Sequence, residues 1–153
     1  MKKNFELVSA CHDQKLKEKA AALGYAIMVM STCRRSSVFQ IRTLHYWLAP
    51  AIEHEHIIFL YNRTSTPIGF VIWAHLAPDS EQRFLNDPGF LLHPSEWNEG
   101  GRTWIIDFCF PSGAIKESLT MLRALLKDAR IKRVSWVRRR ADYSIRKVSG
   151  CNI

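Results

Sequence analysis

A chain of 153 residues is long enough for one domain with a real core and too short for two, so a single domain over residues 1–153 is expected. Hydrophobic residues make up 47% and charged residues 24%, which excludes wholesale disorder. The formal charge of +8 points to an acidic partner: nucleic acid, an anionic membrane surface or an acidic protein.

The chain opens with two lysines, but Asp13, Lys15, Lys17, Glu18 and Lys19 interrupt the apolar run that a secretory signal needs. Tyr25 to Met30 is apolar and far shorter than the roughly 20 residues that span a bilayer. No membrane span is expected. Lys15 to Ala22 reads as a charged, alanine-rich helix with Gly24 as its stop. A second helix is predicted from Val38, Ile41, His45, Leu48 and Ile52, which recur at spacings of three and four. Ser36 or Ser37 would cap it, and Pro50 would kink or shorten it.

"HIIFLYN", "RTSTP" and "IGFVIWAHL" then read as strand, turn and strand. "PDSEQRFLNDPG" predicts a short helix with Pro78 in its first turn, and "FLLHPSEWNEGG" a loop. "GRTWIIDFCFPSG" predicts a strand apolar on both faces and ended by Pro111, in which Trp104, Ile106, Phe108 and Phe110 alternate with Ile105, Asp107 and Cys109. A helix from about Ser112 follows, with Ile115, Leu119, Leu122 and Leu126 as its stripe. "RVSWV" and "DYSIRKVS" are the last strands, either side of "RRRA". The order is that of an α+β chain with one mixed or largely antiparallel sheet.

Asp107 is the odd residue. A buried carboxylate without a partner costs several kcal/mol, so one kept inside a strand is paired, hydrogen-bonded, or used as a base or orienting group. Arg102 or a backbone amide would satisfy a structural Asp107. Among the histidines, His45 falls on the stripe of the second helix, which favours a core role. His54 and His56 have the spacing that places two imidazoles on one strand face, without a third spaced metal ligand. "CHD", Cys11 to Asp13, holds triad residue types too close in sequence to face one another. The four cysteines, Cys11, Cys33, Cys109 and Cys151, lack C-x-x-C spacing and are expected to be reduced thiols of a cytoplasmic protein.

No G-x-S-x-G, P-loop or G-x-G-x-x-G is present. The R/Q-x-x-G-x-G/A turn by which acetyltransferases grip acetyl-CoA pyrophosphate is also missing. "KDARIKRVSWVRRRADYSIRK" holds nine Lys or Arg against two Asp, with Trp136 and Tyr143 interleaved. Such a segment suits nucleic acid, plain solvation, or docking of a small acidic carrier protein.

A spaced series along the chain resembles the toxin-activating lysine acyltransferases that modify RTX protoxins. "LGYAIMVMS" at Leu23 to Ser31 is similar to the family's opening block and "LAPAI" at Leu48 to Ile52 to its L-P-A-I. "PIGFVIWAHL" follows at Pro67 to Leu76, then Glu81 with "FLND" at Phe84 to Asp87. "EWNEGGRTWIIDFCFPSG" matches the block around the family's W-f-i-D. The resemblance implies a GNAT-like sheet flanked by helices. It implies a fatty acyl chain taken from acyl carrier protein, without a further cofactor or metal, and passed to internal lysines of an RTX protoxin. A homodimer is compatible with it, and nucleic acid is a lesser alternative. Asp107 falls on the family's catalytic aspartate, which works there with a histidine in S-x-x-H-R. In "STCRRSS" that position is Arg34 when anchored on Ser31 and Ser36 when anchored on Pro50. Two rival readings follow: a homologue that binds protoxin or carrier protein without acylating either, and a basic nucleic-acid-binding domain.

Overall fold

Asp13 starts the first helix. Its backbone is extended (φ −80°, ψ 108°) and its carboxylate accepts the Leu16 amide at 3.0 Å, satisfying one of the amides that a first helical turn leaves open. In the computed structural model, which describes residues 10–34, 36–37, 39–113 and 115–153, helix α1 then runs Gln14–Ser31. Gly24 does not stop it. Ala26, Val29 and Met30, all buried, lie beyond the glycine, and their burial outweighs a helix-interior penalty of about 1 kcal/mol. Gly24 is exposed, and a Cβ there would meet nothing within 4 Å. Gly24→Ala is therefore expected to stabilise the fold by about 0.5–1 kcal/mol, read as a higher urea midpoint at unchanged slope.

Helix α2 runs Ile41–Glu53 from an extended Gln40, later than a Ser36 or Ser37 cap would start it. Val38 lies outside the described residues. The buried face of α2 also differs from the expected stripe: Leu48 and Ala51 are buried, Leu44 and Trp47 are partly buried, Ile41 is 85% exposed and His45 is exposed. Pro50 is buried inside the helix, which continues to Glu53 and is not shortened.

Five strands follow in sheet order β1-β2-β3-β4-β5: Ile57–Tyr61, Pro67–Leu76, Arg102–Cys109, Arg133–Arg139 and Ile145–Asn152. The β1–β2 hairpin closes on Asn62, whose Oδ1 accepts the Thr64 and Thr66 amides at 3.0 and 2.9 Å. Helix α3 (Pro78–Asn86) and a short 3₁₀ turn at Pro94–Glu96 link β2 to β3, the turn lying in what reads as plain loop. Helix α4 (Ile115–Asp128) carries the chain over to β4, the connection that a parallel pair requires. It starts later than Ser112, and only Leu122 and Leu126 of its stripe are buried, Ile115 and Leu119 being exposed.

β2 is an interior strand buried almost throughout, so the sheet has two cores. Phe70, Ile72, Ala74 and Leu76 pack under α1, α2 and α3 with Trp97 and Trp104. Val71 and Trp73 pack under α4 with Leu122, Leu126 and Val134. All neighbouring strands are antiparallel except β3 and β4, which pair in parallel with one register pair, Trp104 with Ser135. Beyond that pair the two strands part.

Candidate active site

β3 does not alternate regularly. Ile105 pairs with Trp73 and Asp107 with Ile72, so Ile106 is an extra residue, a β-bulge. Strict alternation would put Asp107 on the face of Ile105. The bulge moves Asp107 to the face of Ile72 and Trp104, and returns Phe108 to the α4 core with Ile105. There the Trp47 indole of α2 donates Nε1–H to Asp107 Oδ2 at 3.1 Å, and the Phe108 amide donates to Oδ1 at 2.7 Å. Both oxygens accept from fixed donors, which holds the carboxylate in one orientation. Arg102, the other candidate partner, pairs with Glu81 at 3.0 Å.

Asp107 opens onto a cleft of about 900 Å³. Ile106 and Asp107 line it from the α2 side of the sheet, and Val71, Ile105 and Phe108 from the α4 side, so the cleft follows the parting of β3 and β4 through the sheet. Leu119, Leu122 and Leu126 of α4 give it an apolar wall, which explains the exposed half of that stripe. Arg123 and Arg138 add positive charge. Arg139 spans the opening: Nη2 donates to Phe84 O at 2.7 Å, Nη1 to Tyr143 O at 3.0 Å, and the guanidinium lies 5.1 Å from the Phe84 ring centroid. The Phe110 ring lies against Gly69, where a Cβ would come within 2.2 Å of it, so glycine lets this aromatic wall lie flat.

The other residues that the sequence singles out divide. Ser36 is buried and lines the cleft with Cys33 and Thr43, whereas Arg34 is exposed. His45 is neither core nor on the cleft; it stands exposed, edge-on to Tyr46. Asp13 is spent on the α1 cap and Cys11 is exposed, so "CHD" assembles no triad. No histidine is among the residues lining the cleft. Trp47, Cys33 and Cys109 belong to the site, yet the sequence does not single them out as such. A stripe drawn through Leu44, Trp47, Leu48 and Ala51 has the same helical period and would have found Trp47.

His54 and His56 lie in the turn after α2, not on a strand face, yet their ring centroids are 5.5 Å apart, and His75 is 4.9 Å from His56. Among the described residues no group suited to a metal ion is found. His56 stacks on Trp73, its Nδ1 has no hydrogen-bond partner among the described residues, and His75 contacts Thr103 Oγ1 at 2.9 Å. Burial first, then the neighbouring His75 and His54, lower the His56 pKa from 6.5 to about 4. The unfolded chain therefore takes up this proton more readily. His56's contribution to stability is complete above about pH 6.5 and is lost as the pH falls toward 4. Denaturation at pH 7.5 and 4.5 is expected to show this loss, and His56→Phe to flatten it, leaving the smaller share of His75, which burial also lowers.

The model of the RTX toxin acyltransferase family matches residues 15–151. The chain belongs to that family. It is similar to the leukotoxin-activating lysine-acyltransferase LtxC of Aggregatibacter actinomycetemcomitans, 31% identical over 60% of this chain and 53% of the relative. It is also similar to the protein-lysine myristoyltransferase HlyC of Escherichia coli, 34% identical over 50% and 41%. The chain thus spans about half the length of the curated relatives it matches, or less. Among solved structures it resembles the GNAT-like decarboxylase GphF in complex with isobutyryl-CoA, with a TM-score of 0.56 and 14% identity over 80% of this chain and 64% of that one. That likeness is one of fold, and the expected GNAT-like α+β architecture is what this member of the family has.

Proposed function

We propose that this chain transfers a fatty acyl group from the thioester of an acyl carrier protein to lysine ε-amines of an RTX protoxin. What carries the reading is the position of Asp107, turned by the Ile106 bulge into a cleft open to both sides of the sheet. One side can take the donor and the other the acceptor. An acyl chain would lie along Val71, Ile105, Phe108 and Leu122, where burial contributes about 0.8 kcal/mol per methylene. Asp107 would orient the incoming amine and assist removal of its proton. Arg123 and Arg138 beside the cleft suit an acidic carrier, which they would steer by charge. The reading needs no cofactor, because the donor brings the activated acyl group, and it goes with a cytoplasmic setting. No described helix is long and apolar enough to cross a membrane.

One observation favours a second reading, a homologue that binds protoxin or carrier without acylating: the positions matching the family's histidine are the exposed Arg34 and the buried Ser36, and Arg cannot serve as a base. The test is incubation with carrier protein charged with a fatty acid and a candidate protoxin, followed by intact mass. An acyl increment on the protoxin supports the enzyme, and stable carrier binding without it supports the second reading. Salt-dependent capture of DNA or RNA with no carrier binding would sink both.

A further inference from the structure

The geometry points to Cys33 as an acyl-accepting nucleophile of the cleft, its Sγ taking the fatty acyl group from the donor thioester. This rests on the acyl-transfer reading of the cleft. Cys33 follows the α1 cap residue Thr32. Its amide binds Met30 O at 3.0 Å, and its carbonyl accepts the Ser36 and Ser37 amides at 3.0 and 2.8 Å. These bonds set a tight turn that leaves Cys33 half-buried in the cleft wall, in the segment where the family's histidine would fall.

Cys109 stands with it, 3% exposed and, two residues past Asp107, on the same sheet face. The Cys109 thiol is in hydrogen-bond contact with the side chains of Cys33 and Ser36. Burial, then the proximity of Cys33 and Asp107, push Cys109 up to about 12, so it keeps its proton and serves as a donor toward Cys33 Sγ. Of the two thiols only the half-buried Cys33 is open enough to the cleft for an acyl donor to reach, and the buried Cys109 supports it. A thiol also matches the donor: exchange between thioester and thiol is nearly balanced, whereas Ser36 would need a base to act as a nucleophile, and no histidine lines the cleft to provide one.

In the first half-reaction the Cys33 Sγ–acyl bond forms as the donor's C–S bond breaks, and the Cys33 proton leaves with the donor thiol. In the second, the lysine nitrogen–acyl bond forms, the bond to Sγ breaks, and a proton of the amine returns to Sγ. Nothing is oxidised or reduced.

The full chain carrying Cys11→Ala, which removes the exposed thiol, would be incubated with octanoyl-N-acetylcysteamine thioester and no acceptor, then mapped by mass spectrometry. One octanoyl increment on Cys33 is expected, removed by neutral hydroxylamine and formed about ten-fold faster than any on Cys151, the thiol on the α4 side of the cleft. Cys33→Ala should lose it. Cys33→Ser, a closer replacement should the alanine variant unfold, should give at most an ester that resists neutral hydroxylamine. No adduct on Cys33, or an adduct placed on Cys151 instead, overturns the proposal. Charged carrier protein and protoxin separate the two claims. Wild-type rates of protoxin acylation by Cys33→Ala would remove the nucleophile and leave the acyltransferase. Loading of Cys33 with no transfer to protoxin would keep the nucleophile and remove transfer to lysine.

Discussion

Asp107→Asn is expected to lower lysine acylation by about 10²–10⁴-fold while far-UV circular dichroism stays that of the parent protein. On the proposed reading, a neutral amide can no longer take up the amine's proton or hold the ammonium in place. The geometry adds a second effect. Both carboxylate oxygens accept, one from Trp47 Nε1 and one from the Phe108 amide. An asparagine can offer one oxygen, so its NH₂ must face the other donor. The loss of one hydrogen bond to a charged group is expected to cost about 1.5–3 kcal/mol of stability. Initial rates of acyl increment on the protoxin, measured by intact mass, should therefore fall mainly in kcat, beside a modest drop in Tm. A variant with the parent rate would show that Asp107 is structural only.

Gly101→Ala is expected to be among the most destabilising single changes in the chain. A Cβ at Gly101 would lie 1.7 Å from the Leu76 carbonyl oxygen and 2.5 Å from its carbon, both backbone atoms of β2. Nothing there can rotate out of the way. The strand ends must move apart where Leu76 pairs with Arg102 and where Glu99 accepts the Ala77 amide at 3.0 Å. A cost of about 3 kcal/mol or more follows, which for a chain of this length lowers Tm by about 6–12 °C. Gly100 is the control. Its φ of +75° strains any other residue, yet a Cβ there meets nothing within 4 Å, so Gly100→Asn should cost under about 1 kcal/mol. Thermal unfolding of the two variants tests the difference, and equal midpoints would contradict it.

The order of elements was legible because turns and periods agree along most of the chain. Asn62 and the "RTSTP" turn announce the hairpin, and an almost unbroken apolar β2 announces a strand covered on both faces. Gly24 misled because a local stop signal weighs less than three buried residues on the following turn. The face of α2 misled for a related reason: two stripes of equal period run through it, and only the sheet beneath selects Trp47 and Leu48 over Ile41 and His45. Asp107 was legible as a carboxylate out of place. Its surroundings were not, since Trp47 reaches it, and Cys33 reaches the same cleft, from distant stretches of chain, and no local pattern records that meeting.

The bulge at Ile106 makes the direction of Asp107 a matter of parity. Were Ile106 paired in the ladder instead of bulged, every side chain would be chemically unchanged and the carboxylate would turn from the Trp47 side toward α4, whereas deleting Ile106 outright would leave Asp107 opposite Ile72, where it already lies. The count of residues that pair in the ladder after Ile105, odd or even, thus decides which half of the cleft holds the acid.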